Sequence, residues 1–107
     1  MTTVPFVKMN GAGNEIAVVD LRALAVTPEA AVAALRATDG LSFDQAMVLT
    51  KKRDPGTDAF VEIYNVDGSP AGACGNGTRC IAELVMSAAG KDEAVFDSRG
   101  GRLHCRR

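Results

Sequence analysis

The stretch Ala73-Cys74-Gly75-Asn76-Gly77-Thr78-Arg79-Cys80, with the apolar run that follows it to Ala89, decides how this chain folds. Between Cys80 and Ala89 the only polar side chains are those of Glu83 and Ser87, so the helix predicted here is apolar nearly all round. Such a helix belongs inside a domain, with other elements packed around it. The run is also too short to cross a membrane. The sequence therefore predicts a central, buried helix, with Gly90 just past its end as the C-terminal stop.

Cys74 stands at the predicted mouth of this helix. Gly75 and Gly77 lack a Cβ atom, so the backbone beside Cys74 can adopt positive φ or approach a ligand closely. The first N–H groups of a helix lack intrahelical partners and carry partial positive charge, which suits a carboxylate and favours a thiolate over a thiol. The alternative is a structural helix whose cysteines are small hydrophobes. We favour that alternative for Cys80 and a functional role for Cys74.

Short strands are predicted on both sides of the central helix. They cover residues 6–9, 16–20, 46–50, 59–64, 94–98 and 102–105. A second helix is predicted to start at Thr27 and Pro28, an N-cap residue followed by proline at the first helical position, and to cover the sheet from outside. The strand at 59–64 alternates enough to have one wetter face. The pattern predicts an α+β fold in which strands wrap around one apolar helix.

Composition excludes several classes of function. The 107 residues include 12 basic and 13 acidic side chains, so there is no charge excess to attract nucleic acid or an anionic membrane. Four Phe, one Tyr and no Trp give little surface for stacking bases. Three cysteines without CxxC spacing match no common zinc pattern, and the N-terminus has no signal-peptide character. We expect a cytoplasmic protein with reduced thiols.

Asn14 ends a turn rich in Asn and Gly, after which extended structure resumes. Its amide offers one acceptor and two donors, which could grip the head group of an amino acid. A turn-stabilising asparagine is the safer interpretation on local sequence alone.

Four motifs together resemble the diaminopimelate epimerases over the whole chain. They are Lys8-Met9-Asn10-Gly11-Ala12-Gly13-Asn14, Phe43-Asp44-Gln45, Tyr64-Asn65-Val66-Asp67-Gly68-Ser69 and the octet at 73–80. The resemblance implies that residues 1–107 form the N-terminal domain of a two-domain enzyme whose C-terminal domain is absent here. Each domain of that family is a strand-rich, barrel-like wrap around a central helix, and the active site lies in the cleft between the two.

The resemblance also implies a function. Enzymes of this family interconvert LL- and meso-diaminopimelate without a cofactor, on the route to lysine and peptidoglycan, and the full-length form is expected to be a homodimer. Two cysteines act as base and acid on opposite faces of the α-carbon. Cys74 matches one of them. Asn14, Gln45 and Asn65 match substrate-binding positions, and the backbone N–H groups of Gly75 and Asn76 match those that bind the α-carboxylate.

The chemistry agrees with these assignments, because an α-proton is weakly acidic and inversion needs an acid and a base on opposite faces. This chain departs from the family pattern at Glu15, Ile16 and Ser42, where Asp, Phe and Gly are usual. Cys105 does not match the second catalytic cysteine, so we expect this chain alone to be inactive. Two alternatives stay open: an isomerase resembling proline racemases or phenazine-biosynthesis proteins, and a non-catalytic module that binds anions.

Overall fold

The computed structural model describes residues 5–11, 13–71 and 75–106. Within these ranges the chain forms six strands and two helices: β1 (Val7–Gly11), β2 (Asn14–Asp20), α1 (Pro28–Arg36), β3 (Gln45–Thr50), β4 (Ala59–Asn65), α2 (Gly75–Ala89), β5 (Glu93–Ser98) and β6 (Gly101–Arg106). Every predicted strand and both predicted helices are present. The central helix α2 begins at Gly75, so the glycine-containing part of the octet belongs to its first turn and Gly77 is helical.

The strands form one mixed sheet in the order β1-β2-β3-β4-β5-β6. Antiparallel pairs β1/β2, β3/β4 and β5/β6 alternate with parallel pairs β2/β3 and β4/β5. Each parallel pair is joined by a helical crossover, α1 for the first and α2 for the second. Because β2 and β3 run opposite to β4 and β5, two crossovers of the same hand place their helices on opposite faces of the sheet.

Two apolar clusters confirm this arrangement, since successive side chains of a strand point to opposite faces. The cluster on the α2 face includes Ile16, Val18, Met47, Leu49, Val61, Ile63, Ile81, Val85 and Phe96. The cluster on the α1 face includes Ala17, Val19, Val32, Leu35, Ala46, Val48 and Tyr64. The central strands are apolar on both faces because a helix covers each face.

The sheet wraps around α2, as the sequence predicted. This helix contacts β1 at one edge of the sheet and β6 at the other. A flat sheet of six strands would be about 24 Å wide, against about 10 Å for the diameter of a helix. Contact with both edges therefore reflects the twist and curvature of the sheet, and the α+β prediction is confirmed.

α1 starts and α2 ends at the residues that the sequence signals predict. The Thr27 hydroxyl accepts a hydrogen bond from the Ala30 N–H at 3.2 Å, and Pro28 occupies the first turn of α1. At the end of α2, Gly90 has a φ of 65° and the Lys91 N–H donates to the Met86 carbonyl at 3.0 Å, a glycine-dependent helix stop. Neither helix of the described ranges is long and apolar enough to cross a membrane.

The strand at 59–64 differs from its prediction, because all of its side chains are buried, including that of Glu62. The Tyr64 hydroxyl donates to one Glu62 oxygen at 2.6 Å and Arg99 donates to the other at 3.3 Å. Burial, together with the adjacent Glu62 carboxylate, raises the pKa of Tyr64. The hydrogen bonds from Tyr64 and Arg99 thus allow the Glu62 carboxylate to be buried on the face that the pattern predicted to be exposed to solvent.

Asp58 ties the start of β4 to the segment that leaves α2. Its carboxylate forms a salt bridge with Lys91 and accepts a hydrogen bond from the Val95 N–H at 2.8 Å. The Asp58 N–H donates to the Val95 carbonyl at 2.8 Å. Partial burial opposes ionisation, but Lys91 and the Val95 N–H outweigh it and hold the pKa of Asp58 below its ordinary 3.8.

We expect Asp58→Asn to lower the free energy of unfolding at pH 7 by about 1–2 kcal/mol, because a charge-assisted pair is lost. A depressed pKa contributes stability above the unfolded-state value, and that contribution is lost as the pH falls through the folded-state value. The difference between wild type and variant should therefore shrink below about pH 4. Urea unfolding at pH 7, 5, 4 and 3 measures it, with Asp39→Asn at an exposed site as control. A difference that stays constant to pH 3 would contradict this account.

Candidate functional site

Three residues with carboxamide side chains lie at one end of the sheet. Asn14 is the first residue of β2, Gln45 the first of β3 and Asn65 the last of β4. In the ladders Gln45 lies opposite Ile16 on one side and opposite Asn65 on the other. The Gln45 Nε2 group lies 3.4 Å from Asn65 Oδ1, within hydrogen-bond distance. The strand register therefore brings together three residues that are far apart in sequence.

All three carboxamides also lie on the face that carries α2. Side chains alternate along a strand, and Asn14, Gln45 and Asn65 each stand two residues from a member of the α2-side cluster. Each of the three is half-buried. They are thus held by the scaffold and still partly accessible, as a binding site for a small polar molecule requires.

The N-terminus of α2 lies at this same end. β5 is parallel to β4, so it starts at the opposite end from Asn65, and the crossover helix between them must run back from the end where β4 stops. The return segment is anchored to β4, because the Ala71 N–H donates to the Ile63 carbonyl at 2.8 Å. Gly75 follows four residues after Ala71, which limits their separation to about 14 Å. We call this end of the sheet, with the three carboxamides and the start of α2, the amide end.

The turn after β4 orients Asn65. The Asn65 N–H donates to the Ser69 carbonyl at 2.8 Å, and its side-chain Nδ2 group donates to the Ser69 hydroxyl at 3.2 Å. Asp67 accepts from both the Ser69 N–H and the Ser69 hydroxyl. Gly68 has a φ of 90°, a conformation that favours glycine. The turn at Asp67 and Gly68 thus fixes the third carboxamide.

The remaining predicted site residues belong to the start of α2. Gly75 and Asn76 are its first two residues, and Gly77 is buried. A helix start presents N–H groups and partial positive charge to whatever lies before it. Cys74 directly precedes this start in the sequence but lies outside the described residues, so its role stays a prediction.

The other two cysteines lie elsewhere. Cys80 is buried in the α2-side cluster, as its position in the helix predicted. Cys105 lies on β6 opposite Ala94, which the ladder places towards the start of β4, whereas Asn65 lies at the end of that strand. In the described ranges no three His, Cys, Asp or Glu side chains are grouped to hold a metal ion.

The departures at Glu15 and Ser42 contact one another next to Asn14. The Ser42 hydroxyl lies 3.3 Å from one Glu15 carboxylate oxygen, and the Lys8 Nζ group lies 3.1 Å from the other. Ile16 is fully buried in the α2-side cluster. Glu15 and Ser42 therefore form a small polar network with Lys8, while Ile16 belongs to the core.

The sequence predicted no role for Asp44, yet its backbone and its side chain both form hydrogen bonds with the backbone of Glu15. The only local signal for such a role is the position of Asp44 directly before Gln45.

The fold and the amide end together define an α+β domain in which a sheet wraps one helix and presents polar groups at the helix N-terminus. The same architecture occurs in a phenazine biosynthesis protein of the PhzF family from Bacillus anthracis. The two superpose with a TM-score of 0.70 at 17% identity, covering 99% of this chain and 36% of the other. At this identity the likeness establishes the fold alone.

Sequence comparison gives the family. A family model described as diaminopimelate epimerase matches residues 6–106. The chain is 55% identical over 101 residues to the diaminopimelate epimerase of Afipia carboxidovorans and 56% identical over 102 residues to that of Nitrobacter hamburgensis. Each alignment covers 94% of this chain and 35% of the relative, so the chain spans about a third of the length of these relatives. The chain belongs to the diaminopimelate epimerase family.

We expect Cys80 and Cys105 to react slowly with iodoacetamide in the folded chain at pH 7.5, by about tenfold or more relative to the unfolded chain. Cys80 is buried, and burial raises the pKa of the half-buried Cys105 thiol. Peptide mass spectrometry after timed alkylation measures each site, and the same reaction in 8 M urea is the control. If Cys105 reacts as fast in the folded chain as in urea, it is more accessible and more ionised than its position on β6 implies.

Proposed function

We propose that residues 1–107 are the N-terminal domain of a diaminopimelate epimerase and supply one half of its active site. The observation that carries this proposal is the amide end: three carboxamides on the α2 face, beside the start of the helix that Cys74 directly precedes. Membership of the family supports it independently. The substrate would be a small amino acid, LL- or meso-diaminopimelate, and no cofactor takes part in the proposed reaction.

The start of α2 would bind the acid group at the reacting carbon. The N–H groups of Gly75 and Asn76 are the first two of α2, and the first N–H groups of a helix have no intrahelical acceptor. Donors of this kind stabilise the negative charge that grows on the carboxylate when the α-proton leaves. Asn14, Gln45 and Asn65 would bind the polar groups of the substrate, with donors and acceptors on each amide to fix its orientation.

Cys74 would act as one member of an acid/base pair. As a thiolate it takes the α-proton and becomes a thiol, while the bonding electrons remain on the carbon and its carboxylate. A second cysteine, supplied by the remainder of the longer protein, then gives a proton to the opposite face. One residue cannot serve both faces, so the chain alone should not complete the inversion. Cys105 does not fill the second role in this proposal, because the ladder places it away from the amide end.

The same proposal implies where the full-length enzyme works, how it assembles and which pathways it serves. The full-length enzyme would work in the cytoplasm as a homodimer, supplying meso-diaminopimelate for lysine and peptidoglycan synthesis. The phenazine-biosynthesis and proline-racemase branches are the competing isomerases, and a module that only binds anions is the competing non-enzyme. The family match favours the diaminopimelate branch over the two competing isomerases, as do Asn65 and the octet at 73–80.

Deuterium exchange at the α-carbon tests the half-site. In D₂O the isolated chain should form no meso-diaminopimelate from the LL form, whereas the full-length protein should form it with deuterium at the inverted α-carbon, as chromatographic separation of the two forms shows. Cys74→Ala in the full-length protein should slow exchange by about 10²–10⁴-fold, the usual contribution of a general base. Mass spectrometry of the substrate gives the rates.

Cys105→Ala is the matched control and should exchange at the wild-type rate. Rapid formation of meso-diaminopimelate by the isolated chain that survives Cys105→Ala but not Cys74→Ala would contradict the half-site proposal. Proline and hydroxyproline, run in parallel, identify the competing isomerases: exchange of either, without exchange of LL-diaminopimelate, would assign the domain to another branch.

A further inference from the structure

One residue ties the loop before β3 to the start of β2. The Asp44 N–H donates to the Glu15 carbonyl at 2.8 Å, and the Asp44 carboxylate accepts from the Glu15 N–H at 2.8 Å. Both main-chain polar groups of Glu15 are therefore bound by Asp44. The ladder of paired residues between β2 and β3 starts one position later, at Ile16 and Gln45.

The two bonded residues are the immediate neighbours of two carboxamides of the amide end. Glu15 follows Asn14 and Asp44 precedes Gln45, so the two hydrogen bonds set the position of Asn14 relative to Gln45. Without them, β2 would be held against β3 only from Ile16 onward, and Asn14 would lie two residues beyond the last pair. On its other side Asn14 is paired only with the hairpin end of β1, an edge strand of the sheet.

Asp44 is exposed and belongs to neither apolar cluster, so core packing does not account for its contacts. Ser42 and Lys8 bind the Glu15 side chain, but Asp44 binds its backbone. Backbone contacts control where the chain runs, and therefore where the adjacent carboxamide points. A small displacement of a positioning contact can weaken binding of a ligand considerably.

We propose that Asp44 is a positioning residue that holds Asn14 against Gln45 and so sets the geometry with which the amide end binds its ligand. The identity of the ligand rests on the proposed function, whereas the positioning of the two carboxamides does not. Asp44 acts through Glu15 and need not touch the ligand itself. A merely structural role would alter unfolding and leave the two carboxamides where they are.

NMR spectroscopy of the chain tests this directly, through the side-chain amide cross-peaks of Asn14 and Gln45. Asp44→Ala removes the acceptor for the Glu15 N–H and should shift both cross-peaks, with a melting temperature close to that of wild type. Asp44→Asn keeps an acceptor oxygen at the same place and should restore both. Asp39→Ala removes an exposed carboxylate from the same α1–β3 connection and should shift neither. If Asp44→Ala does not fold, Asp44→Glu, which moves the acceptor by one methylene, should shift both cross-peaks.

Titration with LL-diaminopimelate supplies the second readout. Asp44→Ala should weaken binding about tenfold, and Asp44→Asn should bind as wild type does. Unmoved cross-peaks in Asp44→Ala, or an Asp44→Asn variant that behaves like Asp44→Ala, would overturn the proposal, as would moved cross-peaks with unchanged affinity. If the wild-type chain does not bind LL-diaminopimelate, the same variants are titrated in the full-length protein. Absence of binding there as well means that the proposed function fails, and the cross-peaks alone then decide whether Asp44 positions the two carboxamides.

Discussion

The burial of α2 is the constraint on which the rest of this domain depends. A helix that carries Ile81, Val85 and Met86 among other apolar side chains has to be covered, and apolar burial is the main favourable term in folding. The sheet provides that cover by wrapping far enough for both of its edge strands to contact the helix. The polar end of the molecule is then where this helix begins, since its backbone N–H groups must meet something other than the core.

Register is the second requirement, and it follows from the first. The alternation of core residues along β2, β3 and β4 fixes which side chains face α2, and a slip of one residue would turn every one of them to the other face. Because burial of the apolar residues fixes this register, Gln45 and Asn65 lie opposite each other at the end of the ladder between β3 and β4. The same packing that stabilises the domain therefore places the groups proposed to bind the substrate.

This chain is about a third as long as its curated relatives and buries two apolar clusters, and in the proposed function it supplies one half of a site. The amide end offers carboxamides and a helix start, which suit recognition of an amino acid. Inversion at carbon needs proton transfer on two opposite faces, and the thiol on β6 lies away from this end. In the proposed enzyme, catalysis therefore needs a longer chain than the formation of this domain does.

The local features could be read directly from the order of the residues: the strands and helices, the Thr27 cap, the Gly90 stop and the octet that opens α2. These depend on nearest-neighbour chemistry, such as caps, turn residues and periodicity, which can be read within a few residues. The family resemblance then identified Asn14, Gln45 and Asn65 as one set, although local sequence favoured a simple turn role for Asn14.

Features that depend on contacts between distant residues became apparent only in the folded chain. The wet face predicted for β4 is buried because Arg99, from the turn between β5 and β6, and Tyr64 both bind Glu62. The strand order, the opposite faces of the two helices and the bonds between Asp44 and Glu15 likewise join residues far apart in sequence. No local pattern specifies such pairs, because they arise only when the whole sheet settles into the register that buries α2.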